Sequence, residues 1–330
     1  MSLASCVRHA IVLSVCAAAA LVVPRAASAE NARFALVVEG ASGGEPYTVQ
    51  HRRWLDGLVT TLRDRFKYDG SHLTVLAEQP KTGEEKATAE NVKLVLGRLA
   101  TTMTATDQLI VVLIGHGSGE GADAKFNLVG PDLSVTEWSA LLKPVQGRLA
   151  VVDTTSASFP YLGGLAAPGR VVVTATSTFG QRYHTQFPEG FVQALASPDA
   201  DLDKDGRISL LEAFVFASRA VKTYYEQKGT MATESSVIDD TGTGKGIDAA
   251  AATSADAGPA ALTYFDTPVV ATSSDPETQR LLARQQDLNN QLEELRRKKA
   301  TMPADEYDKQ FEALMLDLAA VSRDIRGRAR

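Results

Sequence analysis

Three aspartates at alternate positions, Asp201, Asp203 and Asp205, open a twelve-residue stretch that continues through Gly206, Arg207 and Ser209 to Glu212. Calcium is a hard cation that takes its oxygens from the first, third, fifth, seventh, ninth and twelfth positions of such a loop, with glycine at the sixth. Every one of those positions is filled here. The three aspartates supply carboxylate oxygens, and Arg207 supplies only its backbone carbonyl. Ser209 stands where a water often intervenes, and Glu212 can bind through both oxygens. Gly206 permits the turn that wraps the chain round the ion. The stretch 201–212 is therefore read as an EF-hand loop, and calcium is the expected cofactor. Phe191, Val192 and Leu195 fit an entering helix. Leu211, Phe214, Val215 and residues 217–221 fit an exiting one. Ile208 is the aliphatic residue that usually pairs with a second loop, yet no strong second loop is evident; residues 239–244 are at best a remnant. A lone hand binds weakly, but outside the cytosol sites with dissociation constants of about 0.1–1 mM are still filled. A stabilising role is expected rather than a sensor switch.

A second group carries different chemistry. His116 lies between Gly115 and Gly117, directly after the apolar run 108–114. The glycines let the backbone turn sharply and leave the imidazole open at the end of the run. Another apolar run, 148–152, ends in Asp153, Thr154, Thr155, Ser156, Ala157 and Ser158. An imidazole at one strand end and a hydroxyl at the next can act as base and nucleophile. A thiolate is not on offer, because both cysteines, Cys6 and Cys16, fall in an N-terminal stretch with the pattern of an export signal. His51 and His184 read as ordinary surface or cleft residues.

These groups need a scaffold. Residues 32–38, 72–76, 108–114, 148–152 and 170–175 are short apolar runs rather than alternating ones, as in parallel strands covered on both faces. Helical spacing falls between them. Trp54, Leu55, Leu58, Leu62 and Phe66 mark one helix face, and Val92, Val95, Leu96 and Leu99 mark another. The fold class is α/β, a mostly parallel sheet with helices on both faces over residues 30–235, in which ligands sit beyond the carboxyl ends of the strands.

The order of these motifs resembles the caspase and legumain superfamily of cysteine peptidases, nearest the legumain branch. In that superfamily a buried strand ends in His-Gly, and the next strand ends in the catalytic cysteine about forty residues later. Here Ile114-Gly115-His116-Gly117 is followed by Val151-Val152-Asp153-Thr154-Thr155-Ser156 at a similar interval. The resemblance, which covers roughly residues 32–180, puts His116 at the histidine position and Thr155 at the cysteine position. It also extends to exported bacterial caspase-like proteins with the same Thr-Thr-Ser-Ala-Ser strand end followed by an EF-hand. It implies a caspase-like fold, a strand-end cleft for a peptide ligand, and a peptidase site that has lost its nucleophile. Threonine is far less nucleophilic than a thiolate at neutral pH. The expected function is thus that of a calcium-binding pseudoenzyme acting in binding or scaffolding. The alternative is an active peptidase or esterase using His116 with Thr155, Ser156 or Ser158.

The two ends of the chain carry their own signals. Arg8 and His9, the apolar run 10–23, Pro24 and Ala27-Ser28-Ala29 are the pattern of a signal peptide over 1–29, so a periplasmic or secreted chain is expected. The apolar run falls short of the roughly 20 residues a spanning helix needs, and no membrane span is expected in the mature chain. The formal charge is -6, and removing the two arginines of the signal leaves -8. An acidic chain without basic clusters is not built to bind nucleic acid. Residues 236–274, rich in Gly, Ala, Thr and Asp, read as a flexible linker. Over 275–330, Leu281, Leu288, Leu292 and Leu295, then Tyr307, Phe311, Leu314, Leu318, Val321 and Ile325, recur at heptad-like steps. Two helices with a short join around 301–303 predict an antiparallel hairpin or coiled coil, a surface for a protein partner.

Overall fold

The structure is a computed structural model that describes residues 32–204, 206–254, 258–266, 275–299 and 302–328. The N-terminal stretch read above as an export signal and Asp205 lie outside the described residues. The chain runs β1 (Arg33–Glu39), α1 (Tyr47–Thr60), β2 (Leu73–Ala77), a short β3 (Glu85–Lys86), α2 (Ala89–Thr102) and β4 (Gln108–Ile114). Three two-residue strands come next, β5 (Gly117–Ser118), β6 (Lys125–Phe126) and β7 (Leu133–Ser134). Then come α3 (Val135–Leu142), β8 (Arg148–Asp153), α4 (Phe159–Gly164) and β9 (Arg170–Thr174). Helices α5 (Phe187–Ala196) and α6 (Leu210–Lys228) flank the acidic loop. The remainder is β10 (Val237–Asp239), α7 (Ala249–Ser254), α8 (Pro276–Lys298) and α9 (Ala304–Arg328).

The main sheet has seven strands in the order β10-β9-β8-β4-β1-β2-β3. All neighbours are parallel except β10, which runs antiparallel to β9. This is the mixed α/β, mostly parallel architecture that the apolar runs predict. Its register sorts the side chains by face. Val37, Val112, Val152 and Val173 stand side by side and pack with Trp54, Leu58, Phe187 and Phe214 of α1, α5 and α6. Leu36, Val111, Val151 and Val172 form the next row and pack with Val92, Leu96, Trp138 and Tyr161 of α2, α3 and α4. Burial on both faces explains the unbroken apolar runs, since each such side chain contributes roughly 1.5–3 kcal/mol when removed from water.

Two neighbouring strands feed opposite directions. From β1 the chain goes outward to β2, and from β4 it goes the other way to β8. Their carboxyl ends lie side by side, with Glu39 paired to Ile114 and the Gly40 N–H donating to the Ile114 carbonyl at 2.9 Å. This is the switch point at which an open parallel sheet leaves a crevice. The crossing over it is tight: a Cβ on Gly40 would come within 2.2 Å of the Asn127 carbonyl.

The stretch 236–274 departs from the linker expected of it. Val237 and Ile238 are buried on β10 at the edge of β9, and Ile238 exchanges backbone hydrogen bonds with Ile247. The Asp239 carboxylate accepts from the N–H groups of Thr241, Gly242 and Gly244, which ties the adjoining turn. Leu262 and Phe265 are also buried. The segment holds few apolar residues, and those few carry its packing; residues 255–257 and 267–274 lie outside the described residues. Helices α8 and α9 form the expected hairpin, with Leu288, Leu292, Leu295 and Tyr307 buried and Gln285 Nε2 donating to the Ser322 hydroxyl at 3.0 Å. Among the described residues no helix is long and apolar enough to cross a membrane.

Candidate functional site

His116 leaves β4 at the switch point. Gly115 before it has φ +149°, a conformation that side chains disfavour. Gly117 after it lies against the end of β8, where an added Cβ would sit 2.7 Å from Ala157 Cβ and 2.9 Å from Thr155 Oγ1. The structure therefore brings the His116 turn and the Thr155 strand end together, as the motifs predict. The imidazole is half-buried; burial lowers its pKa, and a hydrogen bond to the Ser42 backbone carbonyl opposes that shift. Asp153 is fully buried under the cluster, its Oδ1 accepting from the Thr155 N–H at 2.9 Å, and Oδ2 has no hydrogen-bond partner among the described residues. Burial raises its pKa to about 6, against the smaller lowering effects of the Thr155 N–H and hydroxyl. Glu39, at the end of β1, is raised by burial to about 7, with Arg52 opposing.

The hydroxyls divide into three situations. Thr155 is only 1% exposed, and its hydroxyl lies close enough to Asp153 to lower that group's pKa. Ser158 is buried and shares a 2.9 Å hydrogen bond with the Thr176 hydroxyl, while the Thr176 N–H donates to it at 3.1 Å. It serves to pin the turn after β8 to the end of β9. Ser156 is half-buried and lines a cleft of about 120 Å³ with Gly117, Ser118, Phe159, Phe179 and Arg182.

Two histidines read as ordinary residues belong to this site. His51 is 0% exposed, a correction with a simple cause. It precedes Trp54 by three residues and Leu55 by four, so it lies on the buried face of α1. His184, in the loop between β9 and α5, shares a hydrogen bond between its Nε2 and Gln50 Oε1 at 3.1 Å. One ring nitrogen from each of His51, His116 and His184 lies within 4.8 Å of those of the other two. Tyr47 stacks edge-on to His116 at 4.7 Å and tilted on His184 at 4.8 Å. Trp54 stacks on His51 and His184 at 5.5 and 5.6 Å. Desolvation first, then the neighbouring imidazoles, lower the pKa of His51 to about 3 and of His184 to about 4. Of the two, His51 carries a signal in its helical spacing from Trp54 and Leu55; nothing local to His184 announces it.

The acidic loop is the second site. Oxygens of Asp201, Asp203 and Glu212 lie within 4.8 Å of one another. Lys204 and Gly206 have positive φ, 62° and 87°, which coil the loop, and the Gly206 N–H donates to Asp201 Oδ2 at 3.0 Å. Glu212 reaches across from the first turn of α6. Its Oε1 accepts from the N–H groups of Leu202 and Asp203, and its Oε2 accepts from the N–H and hydroxyl of Ser209. Ser209 thus caps α6 in a reciprocal capping box. Burial raises the Glu212 pKa. Asp201 Oδ1 is buried with no hydrogen-bond partner among the described residues. Arg207 turns its guanidinium over Tyr264, 3.6 Å from the ring centroid, and onto Asp266 at 2.9 Å. Ile208 finds a partner, though in place of a second hand it is a strap beside the loop: Phe265 N–H donates to the Ile208 carbonyl, and Ser209 bridges to Tyr264.

No family model matches the sequence, and no curated protein is similar to it at a significant level. Among solved structures, the chain is similar to protein GSU0716 from Geobacter sulfurreducens, a structural-genomics target. The TM-score is 0.41 and the identity 13%, over 63% of this chain and 92% of that one. It is also similar to drICE, with a TM-score of 0.38 and 10% identity over 64% of this chain and 87% of that one. Both likenesses are loose, and the functional reading rests on the geometry of the two sites.

Proposed function

We propose that the chain is an exported calcium-binding protein with a caspase-like α/β domain whose strand-end site binds without cutting. The observation that carries the calcium assignment is the convergence of Asp201, Asp203 and Glu212 around a buried Asp201 Oδ1 that lacks a donor among the described residues. A buried carboxylate oxygen without a partner is costly unless a cation meets it. The residues fit calcium: every group in the set is an oxygen donor, and the backbone is already coiled by Lys204 and Gly206. Asp201, Asp203, Glu212 and the Arg207 carbonyl would hold the ion, with Asp205 and Ser209 completing the set assigned from the sequence. A calorimetric calcium titration of residues 30–330 tests this. One ion per chain is expected, with affinity at least about tenfold weaker in Glu212→Gln, which loses a carboxylate able to give two oxygens. No heat of binding at millimolar calcium would sink the assignment.

The non-cutting reading rests on the hydroxyls. Residues 30–330 contain no cysteine. Thr155 is buried against Asp153, and Ser158 is tied to Thr176. Attack by a hydroxyl needs a base in direct contact to take its proton. The one candidate at the cleft, Ser156, is the basis of the alternative hydrolase reading. Incubation with a peptide library is expected to give no cleavage above background for the wild-type chain. Cleavage that disappears in both Ser156→Ala and His116→Ala would establish the hydrolase instead.

A further inference from the structure

We infer that His51, His116 and His184 form a site for a divalent transition metal of the zinc type, separate from the acidic loop. The three imidazoles come from three elements, α1, the end of β4 and the loop before α5, and meet at the switch point of the sheet. Their donor nitrogens lie within 4.8 Å of one another. Zinc–nitrogen bonds of about 2.0–2.1 Å would bring such nitrogens to roughly 3.4 Å apart in a tetrahedral site. The closure needed is at most about 1.4 Å, within the reach of side-chain rotation.

The independent observation is His51. Its ring is completely buried, and neither Nδ1 nor Nε2 has a hydrogen-bond partner among the described residues. Buried polar groups are nearly always paired, and an imidazole with both nitrogens unpaired lacks a ligand. The other two rings show what metal-binding histidines need, a fixed second nitrogen. The Ser42 carbonyl lies beside His116 and favours a proton on the ring nitrogen facing it. Gln50 Oε1 accepts from His184 Nε2, which leaves the lone pair of His184 on Nδ1. Tyr47 and Trp54 close the site with aromatic faces.

The donor set selects the metal. Three neutral imidazoles without a carboxylate suit zinc, cobalt, nickel or copper, whereas calcium and magnesium require oxygen. Three protein ligands also leave a fourth position for water or a bound ligand.

The test uses untagged residues 30–330 in saturating calcium, titrated with cobalt(II) chloride. One cobalt per chain is expected, with the intense visible absorption of four-coordinate cobalt, and zinc chloride should displace it. Removing a direct ligand should exceed the 10–100-fold loss seen when only a supporting partner is removed. His184→Ala, at a half-exposed position, should therefore weaken zinc binding by at least about 100-fold. His51→Phe should abolish the absorption while keeping, or raising, the metal-free melting temperature, since it replaces an unpaired ring with one of similar shape. Glu212→Gln should leave cobalt binding unchanged. The inference is overturned if stoichiometric cobalt gives no such spectrum, or if His51→Phe and His184→Ala bind zinc as the wild type does.

Discussion

At pH 7.5, Asp153→Asn is expected to stabilise the chain by about 2 kcal/mol. The carboxyl is fully buried at the end of β8, with Oδ2 unpartnered among the described residues, and burial raises its pKa from 3.8 to about 6. Between those two values the folded state holds a proton that the unfolded state has released. Stability from this group is therefore complete below about pH 4, falls as the pH rises through the folded pKa of about 6, and levels off above it. A rise of this size corresponds to about 3 kcal/mol at 1.36 kcal/mol per pKa unit. Asparagine keeps the acceptor for the Thr155 N–H and removes the charge. Its amide hydrogens, if left unpaired, take back about 1 kcal/mol. Glu39, raised to about 7, pushes in the same direction and is present in both chains, so the difference between them isolates Asp153. Urea unfolding at pH 3.5 and pH 7.5 measures it. Parallel curves for wild type and variant across that range would show that the carboxylate is not desolvated as described.

Calcium is expected to raise the melting temperature by about 5–10 °C when it exceeds its dissociation constant a hundredfold. Such an excess stabilises by about 2.7 kcal/mol, and a domain of this size gains about 2–4 °C per kcal/mol. The gain should come without opening of the hand. Helices α5 and α6 are in close contact: a Cβ on Gly190 would lie 2.9 Å from the Ala217 carbonyl, and Phe187, Phe191 and Phe214 are fully buried. The loop exit is held by Leu210 N–H to the Thr263 carbonyl at 2.7 Å and by Phe265 N–H to the Ile208 carbonyl. A sensor hand exposes an apolar groove on binding, and this packing leaves none to expose. Binding of a hydrophobic dye should be unchanged by calcium while the melting temperature rises in wild type and by about half as much or less in Glu212→Gln. A calcium-dependent increase in dye binding would mean that the helices part.

The core strands were legible almost residue by residue because burial on both faces writes itself as unbroken apolar runs; the run 108–114 is β4 without adjustment. The meeting of His116 with the β8 end was legible for a related reason, since motifs that end adjacent parallel strands share one edge of the sheet. What hid was burial that a few residues carry. Val237, Ile238 and Phe265 sit in a stretch whose composition reads as linker. His51 is flanked by Gln50 and Arg52, and its helical phase, rather than its polarity, decides its place. Ser158 is distinguished by a contact across the fold with Thr176, and residue types alone gave three equivalent hydroxyls. Ser209 illustrates a double meaning: the Ser-x-x-Glu spacing expected at the end of a calcium loop also caps α6.

The most direct test of the calcium assignment is a crystal structure of residues 30–330 grown with calcium. One ion is expected, held by oxygens of Asp201, Asp203, Asp205 and Glu212 and by the Arg207 carbonyl, at distances of about 2.3–2.6 Å. A loop whose carboxylates turn to solvent around no ion, at calcium concentrations of several millimolar, would contradict it.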